Sequence, residues 1–225
     1  MTAESTGRPA RQAAFGAEAG ADFDREGQLI CADDVAAQRW RNGGGITREL
    51  LAWPADASWR LRISVAEITQ DGDFSAFPGV ERWFTVLSGA GVELYGTAGQ
   101  APGGDGSVRL RPGDAPLCFD GGSAPRCRLL DGATRDLNLM LRGAVGAMRP
   151  VVEGAVWSPP RHAACGLFAA VAGRCAGTAV PAHALLWFDT APPALVFSAA
   201  PLQRGAAAPA ALGWWLFASL GAAAS

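Results

Sequence analysis

The segment from Trp59 to Ala66 reads Trp-Arg-Leu-Arg-Ile-Ser-Val-Ala, so an apolar side chain occupies every second position. A period of two predicts a β-strand with one apolar face and one more polar face. Short apolar runs of similar length recur along the chain between Gly, Pro and Asp residues, and few segments have a helical period. The sequence therefore predicts an all-β fold.

Part of this strand plan occurs twice. Residues 115–120 (Ala-Pro-Leu-Cys-Phe-Asp) resemble residues 184–189 (Ala-Leu-Leu-Trp-Phe-Asp), and a turn containing Ala-Pro and another apolar run follow each segment. Internal similarity of this kind favours two stacked jelly rolls, although two unrelated β segments could match by chance.

The repeat also suggests how the chain is divided. We expect residues 1–27 to be a disordered leader, because they are rich in Ala, Gly, Arg and Glu and have no apolar period. We expect residues 28–145 to form a first barrel that contains the site. Residues 146–225 would form a second, smaller barrel that ends in a strand at residues 213–217.

Composition excludes several classes of function. All 19 basic residues are arginine, and the net charge is −2, which argues against a nucleic-acid surface. The chain lacks an apolar stretch of membrane-spanning length and a signal-peptide hydrophobic region, so we expect no membrane partner. The five cysteines are odd in number and no pair has CxxC spacing, which indicates reduced thiols and a cytoplasmic protein.

The segment from Trp40 to Glu49 combines three consecutive glycines with amide, hydroxyl, guanidinium and carboxylate groups. Glycines in a row suit a chain that bends sharply or lies close to another group. The segment is not a phosphate loop, because the spacing is wrong and no Gly-Lys-Ser/Thr follows. We predict that it contributes these ligand-binding residues: Asn42, Gly43, Gly44, Thr47, Arg48 and Glu49.

Two strands add a second set of polar groups. Asp136, Asn138 and Met140 share one face of their strand, and Arg62 and Ser64 share the face opposite Trp59 in theirs. If both faces look into one barrel, they form a polar pocket. The alternative is that both faces are solvated, as is common in antiparallel sheets.

Arg62 has a defined role in this hypothesis. Its guanidinium could clamp a ligand carboxylate with two parallel hydrogen bonds. Asn138 and Asn42 could bind an amide or formyl oxygen. The alternative for Arg62 is an internal salt bridge with Asp136 or Glu49.

Metal and cofactor chemistry has little support in the sequence. Imidazole is the ligand that iron, zinc, copper and nickel favour, and the chain has only His162 and His183, both in its second half. We therefore predict no metal and no cofactor.

Four motifs together resemble the HutD/Ves family over roughly residues 28–217: residues 40–49, 71–82, 111–114 and 135–140. The resemblance implies a cupin fold, the RmlC-like jelly roll, and with the internal repeat it implies a bicupin. The family is linked by name to histidine utilisation. This chain has Asp73 where the family pattern has proline. We expect Phe74 and Phe77 of that segment to fill core.

Three functions stay open. The first is a cytoplasmic cupin that binds a small polar carboxylate metabolite in a regulatory or buffering role. By resemblance, the ligand would be a histidine-degradation intermediate such as urocanate or a formylated glutamate. The second is a metal-free isomerase or hydrolase with Asp136 or Glu49 as acid/base, which needs a shifted pKa. The third is an interaction protein whose barrels form a homodimer.

Overall fold

The computed structural model describes residues 27–55, 57–97, 106–201 and 208–220. The predicted leader lies outside these residues except for Gly27. The predicted all-β class is confirmed, because the described residues form nineteen strands and two short 3-10 helices, at Ala32–Asp34 and Gly121–Ser123. The strands are β1 (Gln28–Cys31), β2 (Gln38–Arg39), β3 (Gly45–Trp53), β4 (Leu61–Ile68), β5 (Gly72–Asp73), β6 (Val80–Ser88), β7 (Val92–Tyr95), β8 (Ser107–Leu110), β9 (Leu117–Asp120), β10 (Arg126–Leu129), β11 (Thr134–Arg142), β12 (Val145–Pro150), β13 (Val156–Trp157), β14 (Ala164–Ala169), β15 (Gly173–Cys175), β16 (Thr178–Val180), β17 (Ala184–Phe188), β18 (Leu195–Ala199) and β19 (Gly213–Ser219).

The first half of the chain forms two sheets. One has six strands in the order β2-β3-β4-β11-β6-β9, and the other has four in the order β5-β10-β7-β8. Apolar side chains from both sheets, among them Phe84, Leu94 and Leu110, form one core between them. This core fills only part of the interior, because the polar faces of β4 and β11 lie on the same side of the six-stranded sheet.

The second half also forms two sheets. The order is β1-β17-β14-β19-β12 in the five-stranded sheet and β13-β18-β15-β16 in the four-stranded one. Their shared core includes Leu167, Leu186, Phe197 and Trp215. The buried polar and charged residues of the described structure all belong to the first half: Ser64, Arg82, Thr85, Glu93, Thr97, Thr134, Asp136 and Asn138.

The strand order is the same in both halves. The order β9-β6-β11 corresponds to β17-β14-β19, and β5-β10-β7-β8 corresponds to β13-β18-β15-β16. The two similar segments seen in the sequence fall on β9 and β17, which occupy equivalent places. This correspondence fits two jelly rolls in tandem. One strand crosses the predicted division at residue 145, since β1 pairs with β17 over four residues.

A third core joins the halves. It contains the apolar faces of β4 and β11 from the six-stranded sheet, and those of β14, β17 and β19 from the five-stranded sheet. Leu137, Leu139 and Leu141 of β11 face Trp187 and Trp214 across this boundary. With Leu137, Leu139 and Leu141 committed to this core, the alternate residues of β11 face the interior of the first half.

Within the described residues, no helix is long and apolar enough to cross a lipid bilayer.

Candidate functional site

The floor of the candidate site is built from matching residues of adjacent antiparallel strands. Asn138 of β11 lies opposite Ser64 of β4, and Met140 lies between Arg62 of β4 and Arg82 of β6. Asp136 lies opposite Ala66. Because side chains two residues apart share a face, these residues form rows about 7 Å apart along the strands.

These rows line a cavity of about 600 Å³, a size that suits a small molecule. Its floor is buried: Ser64, Asp136 and Asn138 are each less than 5% exposed. Its rim is exposed and comes from two segments of the chain, residues 38–42 on one side and residues 73–77 on the other. The site is therefore deep and polar at the bottom.

Arg82 is a buried cation held by aromatic rings. Its guanidinium lies 4.4 Å from the Phe74 ring centroid, 5.5 Å from that of Phe119 and 6.0 Å from that of Phe84. Its Nε donates a hydrogen bond of 2.8 Å to Asn138 Oδ1. Burial lowers the pKa of Arg82 to about 10, so the group stays protonated at neutral pH. Cation–π attraction to the three rings and the hydrogen bond to Asn138 offset part of the free energy that the guanidinium loses when it is removed from water.

Asn138 connects Arg82 to a buried carboxyl group. Its Nδ2 donates to Asp136 Oδ1 at 2.5 Å. Burial raises the pKa of Asp136 to about 7, although Arg82 and the hydrogen bond from Asn138 act in the opposite direction. The second oxygen, Asp136 Oδ2, is buried and has no hydrogen-bond partner among the residues that the structure describes. A buried polar atom without a hydrogen-bond partner costs free energy in a folded protein, so its location beside a cavity calls for an explanation.

Arg62 pairs with Glu49 on the neighbouring strand. The Arg62 Nε and Glu49 Oε2 atoms are 2.7 Å apart, as a charge contact that is not aligned as a hydrogen bond. One of the two internal salt bridges considered from the sequence is thus present. The side chains are 19% and 35% exposed, so this pair is accessible to solvent. Arg62 lines the cavity, whereas the predicted site residue Glu49 is not among the residues that line it.

The glycine-rich segment shapes the wall beside β3. Gly43 has a φ of +74°, a value that L side chains adopt only with strain. A Cβ on Gly45 would lie 2.3 Å from the Glu67 carbonyl oxygen, so this position requires glycine. Asn42 Oδ1 accepts a 3.0 Å hydrogen bond from the Gly44 N–H, and Asn42 lines the cavity.

Thr47 is fixed by the same segment. Its Oγ1 accepts a 2.7 Å hydrogen bond from Trp40 Nε1, and both residues line the cavity. Gly43 and Gly44 form the turn and do not line the cavity with Asn42. The wall therefore offers side-chain donors rather than a nest of backbone N–H groups.

The expectation that Arg48 lines this pocket is corrected. Its Nη1 donates to the Val35 carbonyl oxygen at 2.6 Å, on the side of β3 away from the cavity. The physical reason is strand parity: Thr47 faces the interior, so the next residue faces outward.

Seven of the predicted residues come together at the cavity: Asn42, Thr47, Arg62, Ser64, Asp136, Asn138 and Met140. Their role in ligand binding stays a prediction. Sequence reasoning missed Arg82 and the rim residues Gln38, Arg39 and Arg41. Arg82 could have been found, because it has the same strand parity as the apolar residues Phe84 and Val86, which are buried in the core of the first half.

Phe74 has two roles. It is 6% exposed and belongs to the core of the first half, as expected, and it also lines the cavity under Arg82. Phe77 is partly buried and packs with Trp59. The Asp71 to Arg82 segment thus supplies both an apolar anchor and the aromatic support for a cation.

The lining carries more positive than negative charge. Four arginines (Arg39, Arg41, Arg62 and Arg82) and two aspartates (Asp73 and Asp136) line the cavity, which leaves an excess of two positive charges when both carboxyls are ionised. In the described part of the chain, no group of three or more His, Cys, Asp or Glu side chains is arranged to hold a metal ion.

Comparison with known proteins adds a family relationship. A family model described as HutD matches residues 32–186. The chain is 40% identical over 117 residues to an uncharacterized 21.2 kDa protein in the hutC 3' region of Pseudomonas putida. The aligned segment covers 50% of this chain and 57% of that protein. It is 38% identical over 105 residues to Protein Ves of Citrobacter koseri, which covers 46% and 51%. The chain spans about half the length of these curated relatives.

The matches to solved structures with the same fold cover more of this chain. HutD from Pseudomonas fluorescens SBW25 has a TM-score of 0.67 and 24% identity, and the match covers 84% of this chain and 96% of that one. A conserved protein of unknown function from Pseudomonas aeruginosa PAO1 has a TM-score of 0.67 and 26% identity, with 86% and 97% covered. The cupin fold expected from the sequence is confirmed.

Proposed function

The chain belongs to the HutD family, and we propose that its first-half cavity binds a small carboxylate-bearing metabolite. The observation that carries this proposal is Arg82. Its guanidinium is buried, it lines the cavity, and among the described residues Asn138 is its one hydrogen-bond partner. The remaining N–H groups form a planar donor fork, which matches the two oxygens of a carboxylate.

Other groups in the cavity support an anionic ligand. Arg62 lines the same row of the floor as Arg82, and Ser64 and Asn42 add hydroxyl and amide donors. The lining has the excess of two positive charges noted above, which attracts anions to a partly enclosed space.

The class of metabolite follows from the family. The relative in Pseudomonas putida is described by its place in a hutC 3' region, which supports a link to histidine utilisation. We propose a histidine-degradation intermediate, urocanate or a formylated glutamate, bound in a regulatory or buffering role in the cytoplasm. In this proposal the chain is a bicupin whose second barrel is structural.

Ligand-observed NMR with urocanate and N-formylglutamate, followed by calorimetric titration of any hit, tests the proposal. Arg82→Met removes the buried donor fork and should abolish measurable binding. Arg142→Met is the matched control, because Arg142 also lies 4.4 Å from an aromatic centroid, that of Trp59, but does not line the cavity. Binding that survives Arg82→Met, or no binding of any carboxylate by the unaltered protein, would overturn the proposal.

One observation favours a second candidate, a metal-free enzyme. Asp136 has a pKa raised to about 7, so it exchanges a proton near neutral pH, as a general acid or base must. Glu49, the other predicted acid/base, is held by Arg62 instead. Incubation of the protein with each ligand that binds, followed by NMR for new species, tests this alternative. Turnover that disappears in Asp136→Asn would favour the enzyme.

A further inference from the structure

The floor of the cavity is almost entirely a surface of hydrogen-bond donors. Arg82, Arg62 and Ser64 line the floor, and Asn42 lines the wall. Against these donors stands one buried acceptor, Asp136 Oδ2, which has no hydrogen-bond partner in the described part of the chain. A bare carboxylate ligand would satisfy the donors and leave this oxygen unpaired.

Asn138 does not supply the missing partner. Its Oδ1 accepts from Arg82 and one N–H of its Nδ2 donates to Asp136 Oδ1, so neither of these bonds reaches Asp136 Oδ2. The amide has a second N–H group, so the expectation that Asn138 binds a ligand's amide or formyl oxygen stays a prediction. Asn138 orients the Asp136 carboxyl group and leaves Oδ2 as the open position.

We propose that Asp136 is the specificity-determining acceptor of the site, and that the ligand carries a neutral N–H group, of an amide or an azole, which donates to Asp136 Oδ2. This inference rests on the proposed carboxylate-binding function and narrows its ligand class. Arg82 starts from the Met140 row, but its guanidinium reaches back to Asn138, which in turn contacts Asp136. One amide therefore separates the guanidinium from the Asp136 carboxyl group, so the ligand's N–H group and carboxylate lie within a few bonds of each other.

The surrounding charges favour a neutral donor over an ammonium group. Arg82 on β6 and Arg62 on β4 face the same interior as Asp136, and Asp73 lies on the exposed rim. Cys127 on β10 also faces Asp136, but burial raises the pKa of its thiol to about 12 and it stays uncharged. An ammonium group would approach two arginines, whereas an amide or azole N–H adds no charge.

Three matched probes isolate the N–H group. N-acetylglycine has a carboxylate and an amide N–H, acetoxyacetate has an ester oxygen in place of that N–H, and N-acetyl-N-methylglycine has a methyl group there. We expect the unaltered protein to prefer N-acetylglycine over the other two by about tenfold, the effect of one hydrogen bond to a charged group. The preference should grow from about pH 6 to about pH 8, as Asp136 becomes ionised and changes from donor to acceptor.

Asp136→Asn is the test variant, because the amide keeps the shape of the carboxyl group and presents an N–H group where Oδ2 was. It should lose the preference for N-acetylglycine and its pH dependence, yet still bind acetoxyacetate. If the unaltered protein binds all three probes equally, or if Asp136→Asn keeps the preference, Asp136 is a structural residue and this inference is wrong while carboxylate binding stands. If no probe binds, the proposed function itself falls.

Discussion

The two halves share most of their strand order, but the interior of the first half contains a polar cavity and that of the second half is a packed apolar core. In the first half, the central strand β11 presents Asp136, Asn138 and Met140 to the inside. In the second half, the equivalent strand β19 presents Trp215, which is 3% exposed and stacks on Trp157 at 4.8 Å. The same backbone plan therefore supports a polar cavity in one case and a packed apolar core in the other.

This difference shows where each half obtains its stability. Close packing of apolar groups stabilises the second interior directly. The first interior contains a buried guanidinium and a buried carboxyl group, which contribute little net stability even when well placed. The first half can hold such a site because its six-stranded sheet is also covered on its other face by the core shared with the second half.

The largest expected effect comes from that shared core. Trp214 is 1% exposed, lies in the core between the halves and packs with Phe168. Trp214→Ala should lower the free energy of unfolding by about 3–5 kcal/mol, because a large buried side chain leaves a cavity. Denaturant titration followed by circular dichroism measures this loss, with the exposed Val145→Ala as control. A change below about 1 kcal/mol would mean that the halves do not depend on this contact.

The second interior should affect stability without affecting binding. Leu167 is fully buried in the apolar core of the second half, and Leu167→Ala should cost about 2–5 kcal/mol of unfolding free energy. Carboxylate affinity, measured by titration where the variant is folded, should be unchanged. Met140→Ala is the counterpart in the first interior and should alter affinity as well, since Met140 lines the cavity. Equal effects of both variants on affinity would contradict the division of roles.

Much of this contrast could be predicted from the sequence. A period of two around Ile63 and Leu139 identified the strands and their faces, because those apolar residues must be buried. The Ala-x-Leu-x-Phe-Asp repeat identified β9 and β17 as equivalent. Residues 184–188 and 194–197 are entirely apolar in the sequence, and the buried polar residues of the described structure all lie in the first half.

Other features could not be predicted because they depend on contacts between distant segments. In the sequence, Arg82 is a charged residue near the start of an apolar strand. The fold brings the rings of Phe74, Phe84 and Phe119 around its guanidinium. The orientation of the Arg48 side chain away from the cavity depends on the register of β3 against its neighbouring strands. The pairing of β1 with β17 joins residues more than 150 positions apart, and no local pattern signals it.

Arg62→Lys sharpens the contrast within the first half. Lysine keeps the charge but loses the planar fork, so carboxylate affinity should fall by about 1.5–3 kcal/mol. Stability should change by about 1 kcal/mol or less, because the Arg62–Glu49 pair is partly exposed. Calorimetric titration and thermal unfolding measure the two effects. Arg60→Lys is the control. Arg60 precedes Arg62 by two residues and has the same strand parity, but its Nη2 donates to the Gly143 carbonyl oxygen. Unchanged affinity in Arg62→Lys would remove Arg62 from the site.

The smallest expected effect concerns a polar tie between the halves. Arg135 Nη2 lies 2.7 Å from Asp33 Oδ1, and its Nη1 lies 3.1 Å from Nδ1 of His183 in the second half. The Asp33 side chain is 68% exposed, so Asp33→Asn should cost less than about 1 kcal/mol of unfolding free energy at neutral pH.

The pH dependence of this tie has a defined sign. The hydrogen bond from Arg135 and its charge lower the pKa of Asp33, so the folded protein binds that proton less readily than the unfolded chain. The contribution of the pair is therefore present above about pH 4 and is lost as the pH falls through the lowered pKa. Urea titrations of the unaltered protein and Asp33→Asn should differ slightly at pH 7 and converge in acid, and added salt should narrow the gap at pH 7. A loss at pH 7 as large as that of Trp214→Ala would contradict this ranking, because the Arg135–Asp33 pair would then contribute as much to stability as the shared apolar core.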